Sequence, residues 1–145
     1  MSLQSESAEL ILKLYDLRRE AKMREARDWL VGAFFPDTVD DVLAAWRGET
    51  SARYRMVTTY WDMACGLVND GAIDAAMFHH ANNEHILVYV KLEPHLAELR
   101  KTTGLPQYMV QLEKLIKFDP TLKERVEGMR GRIAKMKETR AAAAK

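Results

Sequence analysis

The few glycine and proline residues of this chain separate segments with helical periodicity, and they constrain its fold more than any other feature. Only 7 Gly and 4 Pro occur in 145 residues. Between them, apolar side chains recur at spacings of three and four, the period of an amphipathic helix. Proline excludes the helical conformation at the residue before it, and glycine tolerates the left-handed one. The main helix ends are therefore predicted at Pro36, Gly71, Gly104 and Pro120.

One segment has an alternative interpretation as a strand. The run 86–90 is rich in residues with β propensity. No second run of this kind is available to pair with it, and a lone strand leaves its backbone N–H and C=O groups unsatisfied. We therefore predict a helix here and an all-α fold throughout. The predicted architecture is a single-domain array or bundle of six to seven helices with short loops, covering residues 1–145.

Two positions leave the course of the helices open. The first predicted helix runs from about Ser7 to Phe34, but its apolar stripe changes phase after Ala21. The helix either bends there or changes the neighbour against which it packs. Pro94 either kinks one helix or opens the next at its first position, where the missing N–H costs nothing.

The last helix, at about residues 120–143, is predicted to carry an apolar seam and a positive charge. Residues 123–145 include 8 Lys and Arg against 3 Asp and Glu, whereas the whole chain has a net charge of +1. A nucleic-acid partner is not favoured, because this segment has no aromatic side chains on which bases stack. Its charge is expected to complement in part the acidic group Asp37, Asp40 and Asp41. The seam follows heptad spacing through Leu122, Val126, Met129, Ile133 and Met136. It predicts a pairing surface, on a helix that either packs on the body of the protein or extends from it.

All four histidines lie between residues 79 and 95, and two glutamates lie among them. Imidazole and carboxylate groups bind metals and titrate near neutral pH. However, no two of these histidines are three or four residues apart, so no pair shares a helix face as in an H-E-x-x-H site. We predict no metal or cofactor from this pattern. The segment still supplies, together with one tryptophan, the candidate ligand-binding residues His79, His80, Glu84, His85 and Trp61.

Nothing in the sequence indicates a catalytic centre. Cys65 lies on the apolar side of a predicted helix, where a free cysteine is usually part of the core. The chain has no glycine-rich phosphate loop, no G-x-S-x-G motif and no C-x-x-C motif. The eight methionines are spread along the sequence and are interpreted as core residues. With one cysteine, no signal peptide and no apolar run of spanning length, we expect a cytoplasmic protein without a transmembrane segment.

Several short motifs resemble those of a family of small bacterial all-helical proteins whose domain has no known function. They are 14–18 (LYDLR), 24–29 (REARDW), 34–36 (FFP), 60–64 (YWDMA) and 71–73 (GAI). The resemblance covers about residues 8–115 and implies an all-helical fold. It implies no activity, cofactor or catalytic residue. Some members have a membrane tether at the N-terminus, and this chain lacks such a segment.

Two functions remain open at this point. The first is a non-enzymatic protein–protein interaction or regulatory module that associates with itself or with another protein through its amphipathic first and last helices. The second is a small-molecule or metal-binding protein, or an enzyme, that uses the segment from His79 to His95.

Overall fold

Helices separated by short turns form the structure, a computed structural model that describes residues 2–144. The helices are α1 (Leu3–Leu17), α2 (Ala21–Gly32), α3 (Val39–Arg47), α4 (Ser51–Asn69), α5 (Ala75–Ala81), α6 (Glu84–Leu92), α7 (Leu96–Thr103), α8 (Val110–Lys117) and α9 (Lys123–Ala143). Two 3₁₀ turns cover Glu93–His95 and Pro120–Leu122. The described residues contain no strand, and residues 86–90 lie within α6. The predicted all-α single-domain fold with short loops is confirmed.

The first predicted helix is two helices, which adds to the number expected. α1 ends at Leu17 and α2 begins at Ala21. The turn between them is stabilised by Glu20, whose carboxylate accepts a hydrogen bond of 3.0 Å from the Met23 N–H at the start of α2. The change of phase in the apolar stripe therefore marks a corner between two helices and not a bend in one.

Pro94 lies inside the 3₁₀ turn that joins α6 to α7. Leu92 and Leu96 on either side of this turn both have right-handed helical dihedral angles. α7 begins at Leu96, two residues after the proline. Pro94 thus kinks a nearly continuous helical path and does not open α7.

Helix α4 forms the centre of the core. It packs most extensively against α2 and α8, and it also contacts α3, α5 and α6. Its inward positions follow the helical period, and they are fully buried at Tyr54, Val57, Trp61, Ala64 and Cys65. Burying each large apolar side chain contributes roughly 1.5–3 kcal/mol to stability. These residues determine how the other helices are arranged around α4.

Helix α9 lies along the body of the protein as far as Arg140. The Arg140 guanidinium donates a hydrogen bond of 2.8 Å to the carbonyl oxygen of Gly32, at the end of α2. Lys137 donates to the Asp37 carboxylate at 2.8 Å. The expected complementarity between the basic last helix and the acidic residues near Asp37 is present in this ion pair.

Candidate functional site

Glu84 connects three helices through its side-chain carboxylate. The Nε–H of Arg27 in α2 donates to both carboxylate oxygens, at 3.2 and 3.0 Å. The indole N–H of Trp61 in α4 donates to Oε2 at 2.8 Å. A nearly buried carboxylate is stabilised by such charge-assisted hydrogen bonds. The contact explains why Glu84 is tolerated beside the core, and it adds Arg27 to the candidate residues.

His79 and His85 form a second polar contact, close to Trp61. The Nδ1 atom of His79 lies 3.0 Å from Nε2 of His85, and the planes of the two rings are nearly parallel, with an angle of 8° between them. Oδ2 of Asp119 lies 3.4 Å from Nε2 of His79. This contact does not have the geometry of a hydrogen bond, but the negative charge of the carboxylate favours a proton on Nε2 of His79. Its Nδ1 then accepts from the Nε2–H of His85, and Nδ1 of His85 carries no proton.

Burial keeps both imidazoles neutral near neutral pH. It lowers the pKa of His85 well below the usual value, and it lowers the pKa of His79 against the opposing effect of the Asp119 carboxylate. The His85 ring packs against both Trp61 and Phe78. The chain from Asp119 to His85 has the donor order of an acid–base relay. It ends against packed aromatic rings, so a substrate has no access to His85.

The structure brings together four of the five candidate residues. Trp61, His79 and His85 are buried in the protein, and Glu84 is partly buried. Trp61 and Glu84 share a hydrogen bond, His79 and His85 share another, and Trp61 contacts His85. His80 is exposed and has no hydrogen bond or ion pair to the other four. Among residues 2–144, no group of three or more His, Cys, Asp or Glu side chains is placed to hold a metal ion.

The apolar seam of the last helix faces the core of its own chain. Leu122, Val126, Met129 and Ile133 are buried, Met136 is partly buried, and α9 packs against α6. The seam contacts are therefore intramolecular. They leave no continuous apolar stripe on α9 for a second copy of the chain.

A cleft lies above Glu84, between α2, the connection from α5 to α6, and α9. Its volume is about 320 Å³. Its lining has a polar part and an apolar part. The polar part, called the mouth below, includes Arg18, Arg27, Asn82, Glu84 and Arg132, and the apolar part, called the floor, includes Val31, Leu87, Met129 and Met136.

The arginines of this cleft differ in how they are held. Arg18 donates to Oδ1 of Asn82 at 2.5 Å, and its guanidinium lies over the Tyr15 ring, 4.9 Å from the ring centre. Arg27 is paired with Glu84. Arg132 projects from the exposed side of α9 and forms no ion pair or side-chain hydrogen bond within residues 2–144. The mouth of the cleft therefore holds more positive than negative charge. We call the whole cleft the arginine cleft.

An apolar groove of about 830 Å³ lies on another face, between the corner of α1 and α2 and the outer side of α4. Leu17, Met56 and Met63 line it with 46%, 40% and 48% of their surfaces exposed. Met23 and Tyr60 complete its floor. The interpretation of the methionines as core residues is wrong for Met56 and Met63, which are exposed on the outer side of α4, whereas Met23 is buried as predicted. We call this surface the methionine groove.

Comparison with protein families assigns most of the chain to one family. The family model described as Domain of unknown function (DUF4760) matches residues 3–118. The chain belongs to the DUF4760 family. The match spans α1 to α8, and the motifs quoted above fall inside it, whereas α9 lies beyond it.

No curated protein and no solved structure shows significant similarity to this DUF4760 chain. Within residues 2–144, every helix is too short or too polar to cross a membrane.

Proposed function

We propose that this protein is a non-enzymatic interaction module that binds another protein through the methionine groove. The observation that supports this proposal is the exposure of Leu17, Met56 and Met63 in one concave apolar surface. Contiguous exposed apolar surface on a folded domain marks an interaction site more often than scattered apolar residues do. Methionine is flexible and polarisable, and it adapts to apolar partners of different shape.

The partner that fits this groove is a single amphipathic helix. Met56 and Met63 are two helical turns apart on α4, or about 10.5 Å along its axis. This spacing matches the apolar anchors at positions i, i+3, i+4 and i+7 of a helix that lies in a groove. The charged groups at the rim are Glu20 and Arg55, one of each sign. Apolar anchors, and not charge, therefore supply the affinity in this proposal.

We do not propose self-association as the function, but the test described below would detect it. The seam from Leu122 to Met136, which suggested it, is covered within the chain. A cytoplasmic location is also part of the proposal, and the single free cysteine, Cys65, supports it because it is buried and forms no disulfide.

The test uses the full chain with isotope-labelled methionine methyl groups and a synthetic amphipathic helical peptide. The peptide has leucine at positions i, i+3, i+4 and i+7, and a scrambled peptide of equal composition serves as a control. We expect the methyl signals of Met23, Met56 and Met63 to shift with the ordered peptide only. Met63→Lys is expected to weaken binding by about tenfold or more, because burying a methionine contributes roughly 1.5–3 kcal/mol.

Leu12→Lys is the matched control for Met63→Lys. Leu12 is an exposed apolar residue of α1, with 68% of its surface accessible, and it does not line the groove. Its substitution should leave peptide binding unchanged. Equal binding by the wild type and by Met56→Lys and Met63→Lys variants would overturn the proposal. A concentration-dependent dimer that Met63→Lys abolishes would show that the occupant is a second copy of the chain.

A further inference from the structure

We propose that the arginine cleft is a second binding site, separate from the methionine groove, and that its ligand is a small amphiphilic anion. The ligand has a phosphate or carboxylate head group and a short apolar tail. The head group would lie among Arg18, Arg27 and Arg132, and the tail would lie on the apolar floor.

The charge balance of the cleft points to an anionic head group. Among the described residues, Glu84 supplies the only carboxylate that lines the cleft, and it already accepts hydrogen bonds from Arg27 and from Trp61. Its charge is therefore compensated by Arg27. Arg18 and Arg132 have no carboxylate partner within residues 2–144, so two positive charges remain at the mouth. Guanidinium groups bind phosphate and carboxylate through paired N–H donors.

Arg18 is held in place before any ligand arrives. Its Nη1 atom donates to Asn82, and its guanidinium lies against the rings of Tyr15 and Trp61, at 4.9 and 5.7 Å. A donor that is already oriented loses less side-chain entropy on binding. Arg132, by comparison, is exposed on α9 and forms no ion pair or side-chain hydrogen bond within residues 2–144, so its donors are free to bind a head group.

The start of α6 brings backbone N–H groups to the cleft, next to Glu84 in its first turn. Asn83 precedes α6, but its side chain does not cap the helix. Instead, its Oδ1 accepts a hydrogen bond of 3.0 Å from Arg125. The N-terminal turn of α6, which carries the positive end of the helix dipole, therefore has no side-chain acceptor. It lies beside the same mouth, since Asn83 and Glu84 line the cleft.

The floor of the cleft points to an apolar tail. Val31 is 38% exposed although it is apolar, and Leu87, Met129 and Met136 lie beside it. A site for inorganic phosphate alone would need no such floor. The volume of about 320 Å³ lies at the lower end of the range for small-molecule sites, roughly 300–1,000 Å³. It suits a ligand with a short tail.

The test is isothermal titration calorimetry of the full chain with four probes. Octyl phosphate and octanoate carry both parts of the proposed ligand, inorganic phosphate carries only the head group, and octanol carries only the tail. We expect saturable one-to-one binding of octyl phosphate or octanoate, at least tenfold tighter than that of phosphate or octanol. The tighter of the two amphiphiles identifies the head group, and its affinity should fall as the salt concentration rises.

Two variants locate the site, and a third controls for charge. Arg132→Gln removes an unpaired positive charge, and Val31→Glu places a carboxylate on the floor, at a position that is already exposed. Each should weaken binding of the amphiphile by about tenfold or more, with a melting temperature close to that of the wild type. Lys135→Gln removes one positive charge from an exposed position of α9 outside the cleft, and it should change the affinity less than twofold.

Three results would overturn this proposal. The first is the absence of binding by both amphiphiles. The second is binding that Arg132→Gln and Val31→Glu leave unchanged. The third is binding of a single-stranded oligonucleotide, sensitive to Arg132→Gln, without any binding of the amphiphiles, which would make the cleft part of a nucleic-acid surface. None of these results depends on the methionine groove, which lies on a different set of residues.

Discussion

The buried side chain of Lys91 lies at the C-terminal end of α2, where its Nζ atom donates to the carbonyl oxygen of Phe34 at 2.6 Å. A second hydrogen bond, of 2.5 Å, reaches the carbonyl oxygen of Leu30. These carbonyl groups replace the water that the amine loses on burial, and they lie at the negative end of the helix dipole. Lys91 thereby joins α6 to α2, and no acidic side chain within residues 2–144 pairs with it.

The stability of the protein should rise with pH above neutrality because of Lys91. Burial, together with the positive charges of Arg140 and Lys137, lowers its pKa from 10.5 to about 7. Between these two values the unfolded chain binds one more proton than the folded chain, so the free energy of unfolding increases with pH. Urea unfolding of the wild type and of Lys91→Met at pH values from about 7 to 9 measures this contribution as the difference in slope. Equal slopes would contradict the prediction.

Acid should destabilise the protein through the buried histidine pair. The pKa values of His85 and His79 are lowered by burial, so the unfolded chain takes up protons at a higher pH than the folded one. The free energy of unfolding should therefore fall as the pH drops below about 6.5. His85→Phe should reduce this slope, whereas His80→Gln, at an exposed position, should not. Chemical unfolding between about pH 7 and pH 5 would reveal the difference, and an unchanged slope in His85→Phe would count against it.

Ile133→Ala should destabilise the folded monomer by about 2–4 kcal/mol. Ile133 is buried in the contact between α9 and the body, and its truncation removes apolar contacts and leaves a cavity. Lys135→Ala, at an exposed position of the same helix, should change stability by less than about 0.5 kcal/mol. Urea unfolding measures both variants. If Ile133→Ala alters the subunit count in light scattering and leaves monomer stability unchanged, the seam is an intermolecular surface after all.

Glycine-to-alanine substitutions should have opposite effects in α9 and after α7. Gly128 and Gly131 are exposed within α9, and an added Cβ at either position meets no atom within 4 Å. Each alanine should stabilise the protein by up to about 1 kcal/mol. Gly104 has a φ of +70°, so Gly104→Ala should destabilise by about 1 kcal/mol without any clash. Thermal unfolding would show melting temperatures shifted in opposite directions.

Helix ends and helix type were predictable because they depend on neighbouring residues. Pro36, Gly104 and Pro120 act on the dihedral angles of one or two residues, and each lies at or near a helix end in the structure. The heptad spacing marks the face of α9 that packs on the body, which is buried from Leu122 to Ile133 and partly buried at Met136. The break after Leu17 was visible as a phase shift, but the sequence pattern alone did not distinguish a bend from a corner.

The two proposed sites were not predictable, because each is assembled from residues far apart in the chain. In the arginine cleft, Arg27 meets Glu84 across 57 positions and Arg18 meets Asn82 across 64. No periodicity relates such residues. Lys91, the one lysine in the apolar run of α6, could have been recognised from the sequence as a buried polar residue that needs hydrogen-bond partners. His79 and His85, six positions apart, share no helix face, and only the turn between α5 and α6 brings their rings together.

The sequence by itself determined which segments are helical, where most of them end and which face of each is apolar, because these properties follow from local dihedral preferences and from the helical period. Only the tertiary structure decided which apolar faces are covered. Packing buried the seam of α9 against its own chain and left Met56 and Met63 exposed in a groove. It also placed Arg18 and Arg132, from opposite ends of the sequence, at the mouth of one cleft. Which faces are buried depends on how the helices pack against one another, and that packing is determined by contacts between residues far apart in the sequence.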